Sequence, residues 1–545
     1  MPFLPFFIER VADNFRTRQA ELREESFGFL SNLCETLRVD FMPYLSDSIG
    51  CALQTINEDR THYTNKHLLA EGCMRYVNTM NSGEKSGDAS SEESEEESDA
   101  EEIHARVRTA DVEEKSSAVY FIGVCAEVLL ADFGAAWIDV CWPVLIELDA
   151  YFHSNIRCSA LVALAKMAKA AQGSEPVVRS LAKDTLTLYA RRLLDNLIND
   201  TLLPCIYEER DKEVVASACD AFAVLFDHFG PQALNMGVDA FVQAATALLK
   251  QSTACQQSHE DDDDEEEEDE CPPTGNATME LGEDHDGVLM DAVCDMIESF
   301  SKAYGPSVKA YVDAIFPFLL PYAADDRPSE DVVMATGCIA TIIEAMGAAS
   351  EPYVEDAVSL ALHLIDTTDE SSAKANCAYL LRVLVECCPS RFDNASAANP
   401  LLQALWGIAG SQDEIPAAVD NAASATCTMV RCLSPIVVPL LTVVPALLER
   451  IPMRVDRTEN TNAIRTLIHL LTVQREFTTT HVCVAMVRCV ATVLAALTVE
   501  EEQKRLLVAQ GVTPFIDEFR NEWREACAQL PMELRSALEH NGCCC

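Results

Sequence analysis

Apolar positions along the chain recur at helical spacing in segments that begin in the same way. Each segment has an aromatic residue, then an aliphatic one, then an acidic residue by the fourth position after the aromatic. Apolar residues three and four positions apart follow, which predicts an amphipathic helix. Four such segments are MPYLSDSIGCAL (42–53), AAWIDVCWPVLI (135–146), KAYVDAIFPFLL (309–320) and EPYVEDAVSLAL (351–362).

A short polar turn and a second apolar helix follow these segments. Other repeats of the chain have a second helix of the same kind. Four of the second helices are SNIRCSALVALAKMAKA (154–170), DKEVVASACDAFAVLFDHFG (211–230), EDVVMATGCIATIIEAMG (330–347) and SSAKANCAYLLRVLVECC (371–388). Helix pairs at a period of about forty residues are typical of HEAT or armadillo arrays, in which stacked pairs bury a continuous core. We therefore predict an all-α HEAT/armadillo-type α-solenoid, a superhelix of stacked antiparallel helix pairs. The alternative is an irregular helical bundle.

Two acidic stretches interrupt this array, and both are predicted to be disordered because like charges repel and cannot be buried. HEAT repeats are expected over 1–80, 105–254 and 287–540, with a Cys-rich tail at 541–545. The first insert, rich in Ser and Glu, covers 81–104, and an acidic loop covers 255–286.

The charge of the chain indicates which partners suit it. Its 88 acidic and 40 basic residues give a net charge of −48, and an excess of 29 acids remains without the two acidic runs. Such a field repels nucleic acids and anionic membranes and attracts basic proteins. We therefore expect basic protein partners, no direct nucleic acid and no membrane.

No sequence motif indicates an enzyme or a cofactor. The 23 cysteines include no pair at zinc-binding spacing, and they resemble small core residues of a reduced cytosolic or nuclear protein. Nucleotide-binding loops, metalloprotease helices and hydrolase nucleophile elbows are absent from the sequence. We predict no enzymatic activity and no cofactor.

The candidate contacts for a basic partner are acidic and amide side chains. Carboxylates recur on the predicted second helices as Asp220, Asp227, Glu344 and Glu386, where they line a partner surface or only a solvated face. Asn376, Asn421 and Asn462 fall early in successive second helices; they bind the backbone of an extended peptide, cap helices or bridge repeats. The remaining candidates form one uninterrupted run: Glu260, Asp261, Asp262, Asp263, Asp264, Glu265, Glu266, Glu267, Glu268, Asp269 and Glu270.

The segment STACQQSHEDDDDEEEEDE (252–270) and the helices that follow it, through 350, resemble the importin-beta (karyopherin) superfamily, most closely its importin-4 branch. The segment EEKSSAVYFIGVCAEVL (113–129) is similar to the helix after that family's first acidic insert. The turn in LLERIPMRVDRTENTNAI (447–464) resembles the family only weakly, because Val455 and Arg457 replace acidic or polar residues.

The resemblance implies a nuclear import receptor that carries basic cargo, such as ribosomal proteins and histones, through the nuclear pore. It implies shuttling between cytoplasm and nucleus, transient presence at the pore and contact with nucleoporin FG repeats. Family members are longer, and their N-terminal repeats bind the GTPase Ran. The chain is therefore expected to match the C-terminal half and to lack the usual Ran site.

Two other functions remain open at this point. A HEAT-repeat scaffold would bind a partner that need not be basic. An acidic histone chaperone would bind the same basic clients but would have no transport activity and would ignore FG repeats.

Overall fold

The computed structural model describes residues 4–17, 19–57, 97–172, 186–235, 237–257, 277–324 and 326–543, without the side chains of 97–109 and 277–286. Every regular element in these ranges is helical, and none is a strand. The chain divides into two compact units, Met1–Tyr304 and Gly305–Cys545. The all-α HEAT-type solenoid predicted from the sequence is confirmed.

In the first unit the second helix of each pair packs against the second helix of the next pair. Helices α2, α4, α6, α9 and α11 form this layer, and the first helices of the pairs pack on it. The helices of the unit are α1 (Leu4–Phe15), α2 (Ala20–Leu37), α3 (Met42–Asn57), α4 (Glu97–Leu129), α5 (Gly134–Ile146), α6 (Ser154–Ala171), α7 (Leu188–Leu197), α8 (Leu203–Glu208), α9 (Lys212–Phe229), α10 (Val238–Leu249) and α11 (Ala277–Tyr304).

A phenylalanine cluster joins the last two pairs of this unit. Phe222 and Phe226 of α9, Phe241 of α10 and Phe300 of α11 are all fully buried. The ring of Phe241 lies 4.9 Å from both the Phe226 and the Phe300 ring, centroid to centroid. Each ring removes a large apolar area from water, so the cluster stabilises the contact between neighbouring pairs.

The second unit repeats the same arrangement. Helices α13, α15, α18 and α20 pack in succession, each against the next, with first helices on one side of them. The helices of the unit are α12 (Lys309–Leu319), α13 (Ser329–Met346), α14 (Val354–Thr367), α15 (Ser371–Cys387), α16 (Pro389–Phe392), α17 (Ala395–Gly410), α18 (Pro416–Cys432), α19 (Leu440–Leu448), α20 (Asn460–Thr472), α21 (Arg475–Phe477), α22 (Cys483–Ala495), α23 (Glu501–Leu507), α24 (Thr513–Glu518), α25 (Arg520–Ala528) and α26 (Met532–His540).

The aromatic–acid pattern found in the sequence has a structural role between pairs. The hydroxyl of Tyr353, just before α14, donates a hydrogen bond of 2.5 Å to Asp313 of α12, the acidic residue of the preceding segment. In the first unit Tyr189 of α7 donates to Asp139 of α5 at 2.8 Å. The acidic residue of one first helix therefore accepts from the aromatic residue of the next.

Two second helices end at glycines in a left-handed conformation. Gly230 after α9 has a φ of 57° and Gly347 after α13 a φ of 56°. The Gly230 amide donates to the carbonyl of Phe226, which satisfies one acceptor at the end of α9. A side chain at either position would strain the backbone.

Two helices begin inside the segments that the sequence assigns to the acidic inserts. Helix α4 begins at Glu97, within 81–104, and α11 begins at Ala277, within 255–286. Glutamate is a good helix former, so charge repulsion in these stretches does not exclude helix. The boundaries of the inserts stay a prediction, since 58–96 and 258–276 lie outside the described residues.

Two segments of the second unit are long and apolar enough, by length and composition, to cross a membrane. They are Ser329–Thr367 and Arg475–Ala495. In the most apolar 18 residues of each segment, 56% and 50% are buried inside the protein. The core helices of soluble proteins can be equally long and apolar. Their apolar composition is accounted for by their packing in the two-layered core.

Candidate functional site

The acidic run Glu260–Glu270 lies outside the described residues. Its place in the chain is nevertheless defined, because it connects α10, which ends at Leu249, with α11, which begins at Ala277. The role predicted for its carboxylates stays a prediction.

Glu344 and Glu386 both contact arginines of the chain itself. Glu344 of α13 lies 3.2 Å from the guanidinium of Arg382, and Glu386 of α15 lies 3.1 Å from the same group. Glu386 also contacts Arg431 of α18 at 3.1 Å. Two of the predicted partner contacts are therefore already compensated within the protein.

Arg382 is the centre of a larger, partly buried set of charged and polar side chains, which we call the Arg382 network: Glu344, Tyr379, Arg382, Glu386, Arg431 and Glu459. Only 11% of the Arg382 side chain is exposed, and its Nε lies 3.7 Å from Glu459, whose side chain is 10% exposed. Burial raises the pKa of Glu459, and Arg382 opposes that rise. The network links three successive second helices and the turn before α20, so its first role is structural.

The candidate asparagines bridge neighbouring pairs, which is one of the alternatives left open by the sequence. Asn376 of α15 donates to the carbonyl of Val333 in α13 at 2.8 Å. Asn421 of α18 donates to Ala375 of α15 at 3.4 Å. Asn462 of α20 donates to the Ser424 carbonyl of α18 at 2.8 Å. A role of Asn376 and Asn421 in binding a peptide stays a prediction beside this one.

The first unit carries acidic side chains without such compensation. Asp220 of α9 and Asp291 and Asp295 of α11 are exposed on adjacent second helices. In the part of the chain that the structure describes, none of the three forms an ion pair. We call these three residues the α9–α11 acidic surface. The sequence pattern indicated Asp220; the spacing of Asp291 and Asp295, one helical turn apart, carried the same signal and was missed.

The carboxyls of this surface repel one another. Partial burial raises the pKa of Asp220, and the nearby charge of Asp291 raises it further. The pKa of Asp295 is raised by burial and then by Asp291, Glu298 and Asp220, whereas Lys302 lowers it. A cation that bound here would relieve this repulsion, so the surface is suited to a positively charged partner.

The cysteines and histidines of the described ranges do not form a metal centre. No group of three His, Cys, Asp or Glu side chains there is placed to hold a metal ion. Cys34, Cys125, Cys219 and Cys338 are fully buried, as the sequence predicts. Burial raises the pKa of Cys158 to about 11 and that of Cys141 to about 12, so both thiols are protonated at neutral pH and are poor nucleophiles.

Helix pairs stacked through a layer of second helices define the class of this protein, a HEAT-type α-solenoid. No protein-family model matches the chain. It is 22% identical over 475 residues to the probable importin subunit beta-4 of Schizosaccharomyces pombe, in a match that covers 84% of this chain and 42% of that protein.

Solved structures of Kap121p have the same fold. Kap121p bound to RanGTP superposes with a TM-score of 0.65 at 15% identity, over 99% of this chain and 46% of that one. Kap121p bound to Pho4p gives 0.63 at 15%, over 99% and 45%, and Kap121p bound to Nup53p gives 0.62 at 15%, over 95% and 43%. The chain is therefore similar in sequence to an importin subunit and has the fold of the karyopherin Kap121p. It spans less than half the length of the relatives it matches.

Proposed function

We propose that the chain is the cargo-holding region of a nuclear import receptor and that it binds Lys- and Arg-rich segments of proteins. Ribosomal proteins and histones are the proposed cargo, because their basic tails match an acidic surface. The observation that carries the proposal is the α9–α11 acidic surface: three exposed carboxylates that repel one another and form no ion pair within the described residues.

The overall charge supports this proposal. A net charge of −48 draws basic proteins toward the chain and raises their association rate. Uncompensated carboxylates then provide a binding surface, since a lysine or arginine placed among them removes like-charge repulsion as well as adding attraction. Glu344 and Glu386 are weaker candidates because a cargo arginine would have to compete with Arg382 and Arg431 for them.

The acidic run Glu260–Glu270 is proposed to add to this surface. It precedes α11 directly in the chain, and α11 carries Asp291 and Asp295. Contact with cargo is the role we propose for it. Coupling to release by Ran and simple solvation are the alternatives.

The similarity to karyopherins supports further proposals about partners, location and the lack of catalysis. Relatives with this fold have been solved with RanGTP, the SUMO protease Ulp1p, Pho4p and Nup53p. We infer that the chain, as part of a receptor, acts in transport with Ran, cargo and nucleoporins, shuttles between cytoplasm and nucleus, passes transiently through the pore and is not an enzyme.

The binding of a fluorescent, Lys-rich histone-tail peptide tests the proposal. We expect its Kd to rise at least about tenfold between about 50 and 200 mM salt, because screening weakens exposed charge contacts. Replacing Asp220, Asp291 and Asp295 with asparagine should weaken binding by about three- to thirtyfold at low salt. Failure of the wild-type chain to bind at low salt would refute the proposal.

A matched control separates the acidic surface from the general charge of the chain. Glu355, Asp356 and Asp366 are exposed on α14 in the second unit. Their neutralisation changes the net charge by the same amount and should leave peptide binding nearly unchanged. An equal loss in both triple variants would assign binding to net charge alone. A pull-down with FG repeats then separates a receptor from a chaperone or a scaffold, neither of which should bind them.

A further inference from the structure

One stretch of this acidic chain has the opposite charge. Between residues 450 and 488 there are six arginines and three acidic residues, whereas the whole chain has a net charge of −48. The stretch begins with residues 450–459 of the turn between α19 and α20, which have three arginines and two acidic residues and which we call the basic turn. The basic turn is independent of the α9–α11 acidic surface and belongs to the other unit.

Buried side chains fix the backbone of the basic turn. One oxygen of Asp420, a residue of α18 that is 6% exposed, accepts hydrogen bonds from three successive amides. These are the amides of Arg454, Val455 and Asp456, at 2.9, 2.8 and 3.1 Å. Asn460 at the start of α20 bonds both the amide and the carbonyl of Met453. These hydrogen bonds to Asp420 hold the backbone of the turn in one conformation. The side chains of the turn therefore project from a fixed backbone.

The side chains that this frame exposes are basic and apolar. Arg454 and Arg457 are exposed, Val455 between them is 57% exposed, and Arg465 is exposed on α20. Among the described residues, Arg454, Arg457 and Arg465 have no ion-pair partner. Nearby Arg475, by contrast, pairs with Glu518.

Within the described residues, the acidic residues of the basic turn form no ion pair with these arginines. Glu459 is 8% exposed and is engaged by Ser424 and by Arg382 inside the protein. Asp456 accepts hydrogen bonds from the amide and the hydroxyl of Thr458. Arg454 and Arg457 therefore face solvent without an ion-pair partner among the described residues.

We propose that the basic turn, with Arg465, binds a short acidic peptide segment of a partner protein. Carboxylates of such a segment pair with the guanidinium groups, and an apolar side chain of the same segment covers Val455. A short segment fits better than a nucleic acid. Charge interactions fade beyond about 8–10 Å at physiological salt, so a few carboxylates experience only the basic turn, whereas a long polyanion would also meet the surrounding acidic surface.

Fluorescence anisotropy with a labelled Asp/Glu-rich peptide that contains one leucine tests this inference on the full chain. We expect saturable binding at about 50 mM salt that weakens at higher salt. The double variant Arg454→Glu/Arg457→Glu should weaken binding by about tenfold or more. The control Arg488→Glu/Arg524→Glu makes the same change of charge at exposed arginines of α22 and α25 and should leave binding within about twofold.

Further measurements test whether the basic turn itself, and not a change in folding or in total charge, determines binding of the peptide. Thermal unfolding should be the same for both double variants, because all four arginines are exposed. Val455→Ser should weaken the leucine-containing peptide more than a peptide without leucine. No wild-type binding at low salt, equal loss in the two double variants, or tighter binding of a single-stranded oligonucleotide than of the peptide would each overturn the proposal.

Discussion

Replacing Arg382 with methionine should destabilise the second unit more than any change to an exposed ion pair of similar geometry. Methionine keeps most of the aliphatic volume but removes the charge that faces Glu344, Glu386 and Glu459. Glu344 and Glu386 have side chains that are 47% and 33% exposed, so they can turn toward water. Glu459 is 10% exposed and cannot, so the loss is concentrated on one buried carboxylate.

The expected size follows from that difference in burial. Removing one partner of a buried ion pair costs about 3–5 kcal/mol, and we expect the lower end, about 3 kcal/mol, since two of the three carboxylates can be rehydrated. The matched control is Arg475→Met. Arg475 contacts Glu518 at 2.6 Å, but both side chains are about half exposed. That substitution should cost about 0.5 kcal/mol.

The pH dependence of this loss identifies Glu459 as its source. Burial raises the pKa of Glu459 above its usual value of 4.5, and removal of Arg382 raises it further because Arg382 lowers it. A carboxyl whose pKa is higher in the folded state than in the unfolded state destabilises the folded protein as the pH rises through the folded-state pKa. Below about pH 4.5 it is protonated in both the folded and unfolded states, and the penalty disappears. The difference between Arg382→Met and the wild type should therefore shrink on acidification, and adding Glu459→Gln should restore part of the stability at neutral pH.

Native-state hydrogen exchange is the appropriate assay, because a chain with two units need not unfold in one step. Opening free energies of α15, α18 and α20 should fall in Arg382→Met, while those of α2, α4 and α6 should not change. Equal effects of Arg382→Met and Arg475→Met, or a penalty that is independent of pH, would refute the reasoning about Glu459.

Two further predictions concern contacts between helix pairs. A Cβ at Gly337 would lie 3.2 Å from the Asn376 amide nitrogen, so Gly337→Ala should lower the free energy of unfolding by about 1 kcal/mol in the wild type. In an Asn376→Ala background the same substitution should raise the free energy of unfolding, because only the gain in helix propensity remains. Additive effects in the double-mutant cycle would contradict this prediction. Tyr353→Phe removes the hydrogen bond to Asp313 and should lower the opening free energy of α12 and α14 by about 0.5–1.5 kcal/mol, measured as faster hydrogen exchange, and unchanged exchange would show that this bond contributes nothing.

Much of the fold followed from the sequence because helical periodicity and a forty-residue repeat are local signals. The second helices and the buried cysteines lie where the pattern predicted them. The function of the aromatic–acid signature did not follow, since the partner of Asp313 is Tyr353, forty residues away in another pair. Arg382 and Arg431 escaped notice for the same reason: each compensates a candidate carboxylate on a different helix, at sequence separations of 38 and 45.

The candidate site was predictable from the sequence only where acidic residues recur at the spacing of an exposed helix face. Asp220 and the pair Asp291 and Asp295 share the exposed spacing of a solvated helix face, and sequence can indicate this. Whether such a face carries free or compensated charge depends on the neighbouring helix. Glu344 and Glu386 have the same pattern in sequence as Asp220, yet arginines of the chain neutralise them.

The central claim is that a basic segment binds to the uncompensated carboxylates of α9 and α11. Hydrogen-exchange footprinting of the wild-type chain with the histone-tail peptide at low salt tests it most directly. We predict slower exchange in α9 and α11 and no change in α13 and α15, which carry Glu344 and Glu386. Protection confined to α13 and α15, or saturating binding without protection of α9 or α11, would contradict it.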